Sequence, residues 1–419
     1  MDARGIRKRN GLNTDFQFRL GGTSDGVRSE AQLPRVEDMC VAINGIAMLS
    51  PLTGIGQYTY NLVREMQDLR LSPWLFYGAK WSREAREGAM PGMEAVKGAV
   101  KRVVPYAYRL KRFVLQQAFT LGARRRGIAL YHEPNFMSYR FDGPSVVTVH
   151  DLSWLRYPET HPADRVREMN RVMPRAMGGA AHVLVDSDFV KREVMEHYGL
   201  AEERITTTLL GVSTEFRPFS NAECAAPLDR YRLQYGRYIL AVATLEPRKN
   251  LSSLIAAFAQ LPDTLRRRYP LVIAGMRGWG EGVASASLSN MIAKGEVRLV
   301  GYVPQADLPK LYAGARMFVY PSLYEGFGLP PLEAMACAVP VIASNRASLP
   351  EVVGNAGILT EPLDDLRIVQ HMRALIEDDA LHAHLAKAGR LRARRFTWRK
   401  CAMETLAVYR KVLAEGVDG

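Results

Sequence analysis

The sequence predicts an α/β chain built of two doubly wound, Rossmann-like units that face each other across a cleft. Short apolar runs alternate with helix-spaced segments, the pattern of a parallel sheet with crossover helices. The runs are apolar at nearly every position, as strands covered on both faces are. The alternation occurs twice, in series of similar length on either side of a proline-containing stretch. A chain of 419 residues, at roughly 100–200 residues per domain, has room for both.

The elements follow in order. Residues 1–37 are polar and Gly-rich without periodicity, which predicts a disordered tail. Met39–Ile43 is the first strand, and NGIAMLSPLTGIGQ then leads into the helix-spaced YTYNLVREM. Ser145–Val149 is a β-branched strand bounded by Gly143-Pro144. Ala181–Val185 is another, followed by a helix over Phe189–Tyr198. Glu215–Tyr235, with Pro218, Asn221 and Pro227, breaks the alternation and places a linker at 214–222. The second series has strands at Tyr238–Ala243, Leu271–Ala274, Val297–Val300, Met317–Tyr320 and Val339–Ala343, with helices at Leu251–Gln260 and Pro330–Cys337. The expected domains are therefore 38–216 and 217–394, with a last helical segment in 395–419. Ligands of such sheets bind beyond the carboxyl ends of the strands, which here means the cleft.

The formal charge of +13 favours an anionic partner: nucleic acid, an acidic membrane or a phosphorylated substrate. Residues 97–126 carry nine Lys or Arg and no Asp or Glu, with Tyr106, Tyr108, Phe113, Leu115 and Phe119 among them. That is the composition of a helix lying on an anionic membrane surface. A solvated helix and a groove for a phosphorylated acceptor are the alternatives. No nucleic-acid motif accompanies the charge, so nucleic acid is not expected. No apolar run is long enough to span a membrane, and the basic start of the chain lacks the apolar core of a secretion signal. The four Cys are scattered without metal or disulfide spacing, which fits a reducing cytosol.

Four constellations carry chemistry. The first is YPSLYEGFGLPPLEAMACAVP, residues 320–340. A strand ends at Tyr320, a loop carries Glu325 with Gly326 and Gly328, and Pro330-Pro331 opens a helix whose first turn is expected to hold Glu333. The glycines let backbone approach a ligand, and the free N–H groups of the helix start face an anion. A carboxylate accepts two O–H bonds and so suits vicinal hydroxyls; together these parts suit a nucleotide sugar. The plain alternative is a dipole-favoured Glu333 and a surface Glu325. The second constellation is Arg248-Lys249, at the carboxyl end of YILAVA, where both can neutralise phosphate or form a solvated loop. The third is residues 51–57, a loop between strand and helix whose Gly54-Ile55-Gly56 is either a weak ligand-binding signal or a tight turn. It lacks the third glycine of the dinucleotide fingerprint, which argues against an NAD(P) oxidoreductase. The fourth is His150 at the end of SVVTV, facing the cleft either to bind hydroxyls or move a proton, or in a structural role. His132, Glu133 and His161 are weaker candidates. Asp186-Ser187-Asp188 imitates a metal motif but sits where Asp and Ser cap a helix, so no metal site is expected.

EGFGLPPLEAMACAVPVIAS, ATLEPRKNL, TGIGQYTYNL, VTVHDLSW and GYVPQADLPKLYAGARMFVYPS together resemble the retaining glycosyltransferases of GT-B fold, sequence family 4. The resemblance runs from about Met39 to the end of the chain and is nearest to mannosyltransferase-like members that build bacterial O-antigen. It implies that Glu325, Gly326, Phe327, Gly328 and Leu329 hold the donor sugar and diphosphate, and that Glu333 holds the ribose. It implies that Arg248 and Lys249 neutralise the diphosphate in place of a metal, with no cofactor. Gly56 would offer its N–H to the phosphates, His150 would lie beside the sugar, and Tyr302 and Val303 would border the base. Ala243 and Thr244 stand where family members often carry a further Arg, leaving open how Arg248 and Lys249 share the work. The implied donor is GDP-mannose or a GDP-deoxyhexose such as GDP-rhamnose, with UDP-sugars as the alternative. The implied acceptor is a glycan, free or linked to undecaprenyl diphosphate, met in the cytoplasm or at the inner face of the membrane. A non-catalytic nucleotide-sugar or membrane-binding scaffold is the remaining alternative.

Overall fold

The computed structural model describes residues 33–49, 54–78, 80–86, 105–136, 139–276 and 286–415. Strands β1 (Val41–Asn44), β2 (Trp74–Phe76), β3 (Trp81–Ser82), β4 (Leu130–Glu133), β5 (Ser145–Val149), β6 (His182–Val185) and β7 (Ile205–Thr207) form one sheet. Its order is β3-β2-β1-β4-β5-β6-β7, parallel except for β3. Strands β8 (Ile239–Val242), β9 (Leu271–Ala274), β10 (Val297–Gly301), β11 (Met317–Tyr320), β12 (Val341–Ser344) and β13 (Ile358–Thr360) form a second, all-parallel sheet of order β10-β9-β8-β11-β12-β13. In each sheet the chain reverses its direction of growth once, between β1 and β4 and between β8 and β11. Those switch points are where open α/β sheets leave a crevice.

Five helices position the crevice: α1 (Gly54–Asp68), α2 (Pro105–Arg125), α3 (Asp188–Tyr198), α4 (Leu329–Ala336) and α5 (Trp398–Glu415). Each sheet is packed on both faces. Val147, Val149, Val183 and Val185 point into one cluster, and Val41, Ile43, Val146 and Leu184 into another. This is why the strands read as unbroken apolar runs, each fully buried Val, Leu or Ile being worth about 1.5–3 kcal/mol. The last helix, α5, packs on α1. The Tyr409 hydroxyl lies 2.6 Å from His132 Nδ1, and the Tyr58 and Trp398 rings are 6.3 Å apart.

Several expectations are corrected. Gly54 and Gly56 lie inside the first turn of α1 rather than in a turn before it; residues 51–53 fall outside the described residues. The stretch Glu215–Tyr235 is not wholly a break. Asn221–Arg230 is helical, because Ser220 and Glu223 form a reciprocal capping box. Of the tail, residues 1–32 fall outside the described residues, whereas Val36–Asp38 forms a helical turn and the Pro34 carbonyl accepts from Arg410 Nε. Strands β2, β3, β4, β7 and β13 are absent from the sequence expectation. Most are two or three residues long, and β4 (LYHE) hides behind His132 and Glu133.

Candidate active site

The site is built on the carboxyl ends of β5, β6, β8 and β11. From β8 the chain enters a helical turn, Pro247–Lys249, and Asn250 ends it in the left-handed region at φ 51°. The Asn250 amide donates to the Pro321 and Pro362 carbonyls at 3.2 and 2.8 Å, tying this turn to the loop after β11. From β11 the loop Pro321–Gly328 runs to α4, with Gly328 at φ 109°. Ser348 fixes the loop by donating towards the Glu325 and Phe327 carbonyls at 2.9 and 2.8 Å.

These two loops bring Glu325, Arg248 and Lys249 together. Glu325 Oε1 accepts from Lys249 Nζ at 2.7 Å, Ser322 Oγ at 2.5 Å and the Tyr320 hydroxyl at 2.9 Å. Glu325 Oε2 faces Arg248 at 3.3 Å. Burial alone would raise the Glu325 pKa, but Lys249 and then Arg248 hold it at about 2. Burial, and then the charge of Arg248, pull Lys249 below the ordinary lysine value. Arg248 is the more enclosed cation. It also donates to the Tyr324 carbonyl and stands 3.6 Å from Glu246.

Glu333 lies in the second turn of α4, not the first, because the helix starts at Leu329 ahead of the two prolines. Burial pushes its carboxyl up to about 7, and the Tyr312 hydroxyl beside it only partly offsets this. A folded pKa above the unfolded value means that this group's relative contribution to stability falls as pH rises from about 4.5 through about 7. If hydroxyl donors of a ligand bind the ionised form, binding expels a proton. Nucleoside diphosphate affinity should then rise several-fold between pH 6 and pH 8, and Glu333→Gln should flatten the rise. Calorimetry in buffers of different ionisation enthalpy reads the released proton directly.

His150 follows β5 and Asp186 follows β6, and the register pairs Val149 with Val185. The two side chains therefore meet: His150 Nδ1 lies 2.7 Å from Asp186 Oδ2, and Nε2 faces the Pro134 carbonyl at 3.0 Å. A carbonyl only accepts, so Nε2 carries a proton. Burial would lower the His150 pKa, but the Asp186 charge outweighs it and the net shift is upward. Asp186 Oδ2 is thus engaged by His150 rather than by the start of α3. Ser187 caps α3, and among the described residues no group of three or more His, Cys, Asp or Glu could hold a metal.

The two halves touch at this point. Ser187 Oγ donates to the Gly326 carbonyl at 2.7 Å. The Leu152 N–H donates to the Tyr324 hydroxyl at 3.0 Å, and that hydroxyl donates in turn to Glu193. Gly326 lies against the His150 carbonyl. As site residues, Tyr320, Ser322, Ser187, Tyr324 and Asp186 are absent from the sequence expectation, which read Asp186 and Ser187 only as helix caps. The in-register positions of His150 and Asp186 after adjacent strands were the available signal for Asp186.

Other expected residues are placed as follows. Gly56 is buried in the first turn of α1, where backbone N–H groups lack helical partners. The Phe327 side chain packs against Phe396, ring centroids 5.9 Å apart, so only its backbone can serve a ligand. Leu329 is half-buried, Val303 buried and Tyr302 exposed, the last two following β10. His132 and Glu133 are internal: His132 bridges Tyr409 and Thr148, and Glu133 accepts from Asn44, Tyr131 and the Asn135 N–H. His161 is buried; burial and then the Arg165 charge lower its pKa, and the Asp151 and Arg248 charges also reach it.

Residues 233–392 match the family model "Glycosyl transferases group 1", and residues 52–216 match "Glycosyltransferase Family 4". The chain is 38% identical over 380 residues to the O-antigen chain mannosyltransferase B of Escherichia coli, covering 86% of this chain and 96% of that protein. It is 30% identical to a D-inositol 3-phosphate glycosyltransferase of Acidothermus cellulolyticus over 66% of this chain and 64% of that one. Among solved structures, the sucrose-phosphate synthase of Thermosynechococcus elongatus superposes with a TM-score of 0.73 at 20% identity, covering 90% of this chain and 100% of that one. WaaG, a glycosyltransferase involved in lipopolysaccharide biosynthesis, superposes with a TM-score of 0.67 at 15% identity, covering 88% and 99%.

Proposed function

The chain belongs to the family 4 glycosyltransferases of GT-B fold, and we propose that it moves mannose from GDP-mannose onto a glycan acceptor in O-antigen synthesis. The observation that carries this reading is the likeness to the O-antigen chain mannosyltransferase over nearly its whole length. The site supports the chemistry. The anomeric C–O bond to the diphosphate breaks as an acceptor hydroxyl bonds to the same carbon, and its proton leaves with the diphosphate or to solvent. Negative charge grows on the leaving diphosphate. Arg248, Lys249 and the Gly328 and Leu329 N–H groups where α4 begins, Pro330 and Pro331 having none, supply fixed positive character there, which gives a route that needs no metal. Glu325 orders the two cations and offers its carboxylate to sugar hydroxyls. Glu333 takes the ribose hydroxyls. Attack on the leaving group's face would retain the anomeric configuration.

Thermal shift with GDP, UDP, ADP and NAD is the test. We expect stabilisation by GDP, weakened in Glu333→Ala, and mannosyl transfer from GDP-mannose that survives EDTA and yields an α-linked product by NMR. Stabilisation by UDP alone would replace the donor assignment, and transfer lost in EDTA would overturn metal independence.

The acceptor is proposed to be lipid-linked, at an anionic membrane face reached through α2. Phe113, Val114 and Leu121 of that helix are exposed beside Arg124 and Arg125, a pairing that suits a membrane surface. Arg112 and Arg124 are also paired to Glu168 and Asp142; residues 97–104 fall outside the described residues. Co-sedimentation with vesicles containing phosphatidylglycerol, but not with neutral vesicles, is expected, and equal partition would count against this contact.

A further inference from the structure

A cavity of about 540 Å³ opens beside the loop that leads into Glu325. Its walls come from both halves. Arg156 and Tyr157 follow β5, Phe189 and Arg192 belong to α3, Tyr324 follows β11 and Arg346 follows β12. The volume lies in the range of about 300–1,000 Å³ of small-molecule sites. We propose that this cavity binds a sugar residue of the acceptor glycan behind the residue that receives the transferred sugar; the proposal rests on the glycan-acceptor reading above.

The chemistry of the walls suits a polyol. One part is aromatic: the Tyr324 ring centroid lies 5.8 Å from those of both Tyr157 and Phe189. Such rings offer an apolar face to the C–H side of a pyranose and a polar tip at its rim. The other part is charged but balanced. Arg156 donates to Glu193 at 2.6 Å and to Glu196 at 3.2 Å. Arg346 is paired with Glu361, and Arg192 lies 3.6 Å from Glu351. Every arginine here already has a carboxylate, so the cavity presents donors and acceptors together without surplus positive charge. Sugar hydroxyls, each both donor and acceptor, suit this mixture.

Position points the same way. Leu323 and Tyr324 line the cavity and Glu325 follows directly in the chain, so the cavity adjoins the loop that carries the proposed donor-sugar carboxylate. Tyr324 is held from two sides, by the Leu152 N–H and by Glu193, so the aromatic wall is pre-formed. Ala347, also in the lining, takes a left-handed φ of 55°, a conformation that costs a non-glycine residue energy and recurs at ligand sites.

The test uses the full-length chain with GDP-mannose and mannoside acceptors of one to four residues, in wild type, Tyr157→Ala and Arg346→Ala. Wild type is expected to show a lower KM for the longer acceptors. Each variant should raise that KM about tenfold, the loss of one good contact, while donor hydrolysis and transfer to the single mannoside stay unchanged. Unchanged hydrolysis also shows that the variants fold. An unaltered KM ratio between long and short acceptors in both variants would overturn the cavity assignment, as would equal losses on all acceptors. No transfer from GDP-mannose by wild type would count against the mannosyl-transfer reading instead. Saturation-transfer NMR with mannotetraose then reads acceptor binding without turnover: loss in both variants of the signal from residues behind the receiving one supports the cavity, and that signal retained sinks it.

Discussion

Lys249→Met should lower kcat/KM by about 10²–10³, the usual cost of removing one fixed stabiliser of developing negative charge. Lys249 Nζ and the Arg248 guanidinium face opposite oxygens of the same carboxylate. Lys249 is the less enclosed of the two, so its loss leaves Glu325 still bonded by Arg248, Tyr320 and Ser322. The fold should therefore survive, with Tm within a few degrees of wild type. The loss should fall mainly on kcat, because leaving-group charge is greater in the transition state than in the bound donor. Arg248→Met should differ. Arg248 is buried and also serves the Tyr324 carbonyl, so it should cost stability as well as rate. The check is steady-state kinetics beside thermal melts for both variants. A Lys249→Met enzyme with wild-type kcat would remove Lys249 from the leaving-group role. Combining Lys249→Met with Glu325→Gln should cost less than the sum of the two, since they share one bond.

The sequence pattern identified both sheets and the principal loops because each signal is local. SVVTV, LVIA and MFVY are short apolar runs whose ends coincide with β5, β9 and β11. Glu325, Arg248 and Lys249 stood out as charges at strand ends. What stayed hidden is relational. Nothing local says that Asp186 faces His150; that follows from the pairing of β5 with β6, which brings two following residues side by side. Asp-Ser-Asp before a helix has a sufficient local explanation in capping, and Ser187 indeed caps α3, so the flanking Asp186 was read with it. Tyr324 was hidden for a similar reason. Its partners, Leu152 and Glu193, belong to the other half of the chain, and only the approach of the two sheets brings them within reach. Glu333 falls one residue deeper in its helix than expected, because the start before Pro-Pro is set by loop geometry at Gly328, which spacing does not reveal.

The approach of the two halves yields the other large effect: Gly326→Ala should reduce kcat by about 10² or more, the scale set by a misplacement of roughly 1 Å at a reacting centre. A Cβ at position 326 would lie 1.7 Å from the His150 carbonyl oxygen and 3.0 Å from Asp151 Cβ. The nearest obstacle is backbone at the end of β5, so no side-chain rotation relieves it. The loop is poorly placed to yield, since Ser348 holds the carbonyls on either side of Gly326 and Asn250 anchors its start through Pro321. The relief left is separation of the halves. Separation breaks the Ser187–Gly326 and Leu152–Tyr324 bonds and draws Glu325 and Lys249 away from the His150 side of the cleft. Glu333 and the Arg248–Lys249 pair, proposed to hold most of the nucleotide, lie on one half and keep their mutual geometry; Gly56, on the other half, is the proposed phosphate contact that moves. Nucleoside diphosphate affinity should therefore change little while turnover collapses, a split that general misfolding would not produce. Calorimetric binding of GDP beside single-turnover kinetics on Gly326→Ala reads both quantities. A variant that turns over at the wild-type rate would mean that the contact between Gly326 and His150 is not part of the catalytic arrangement.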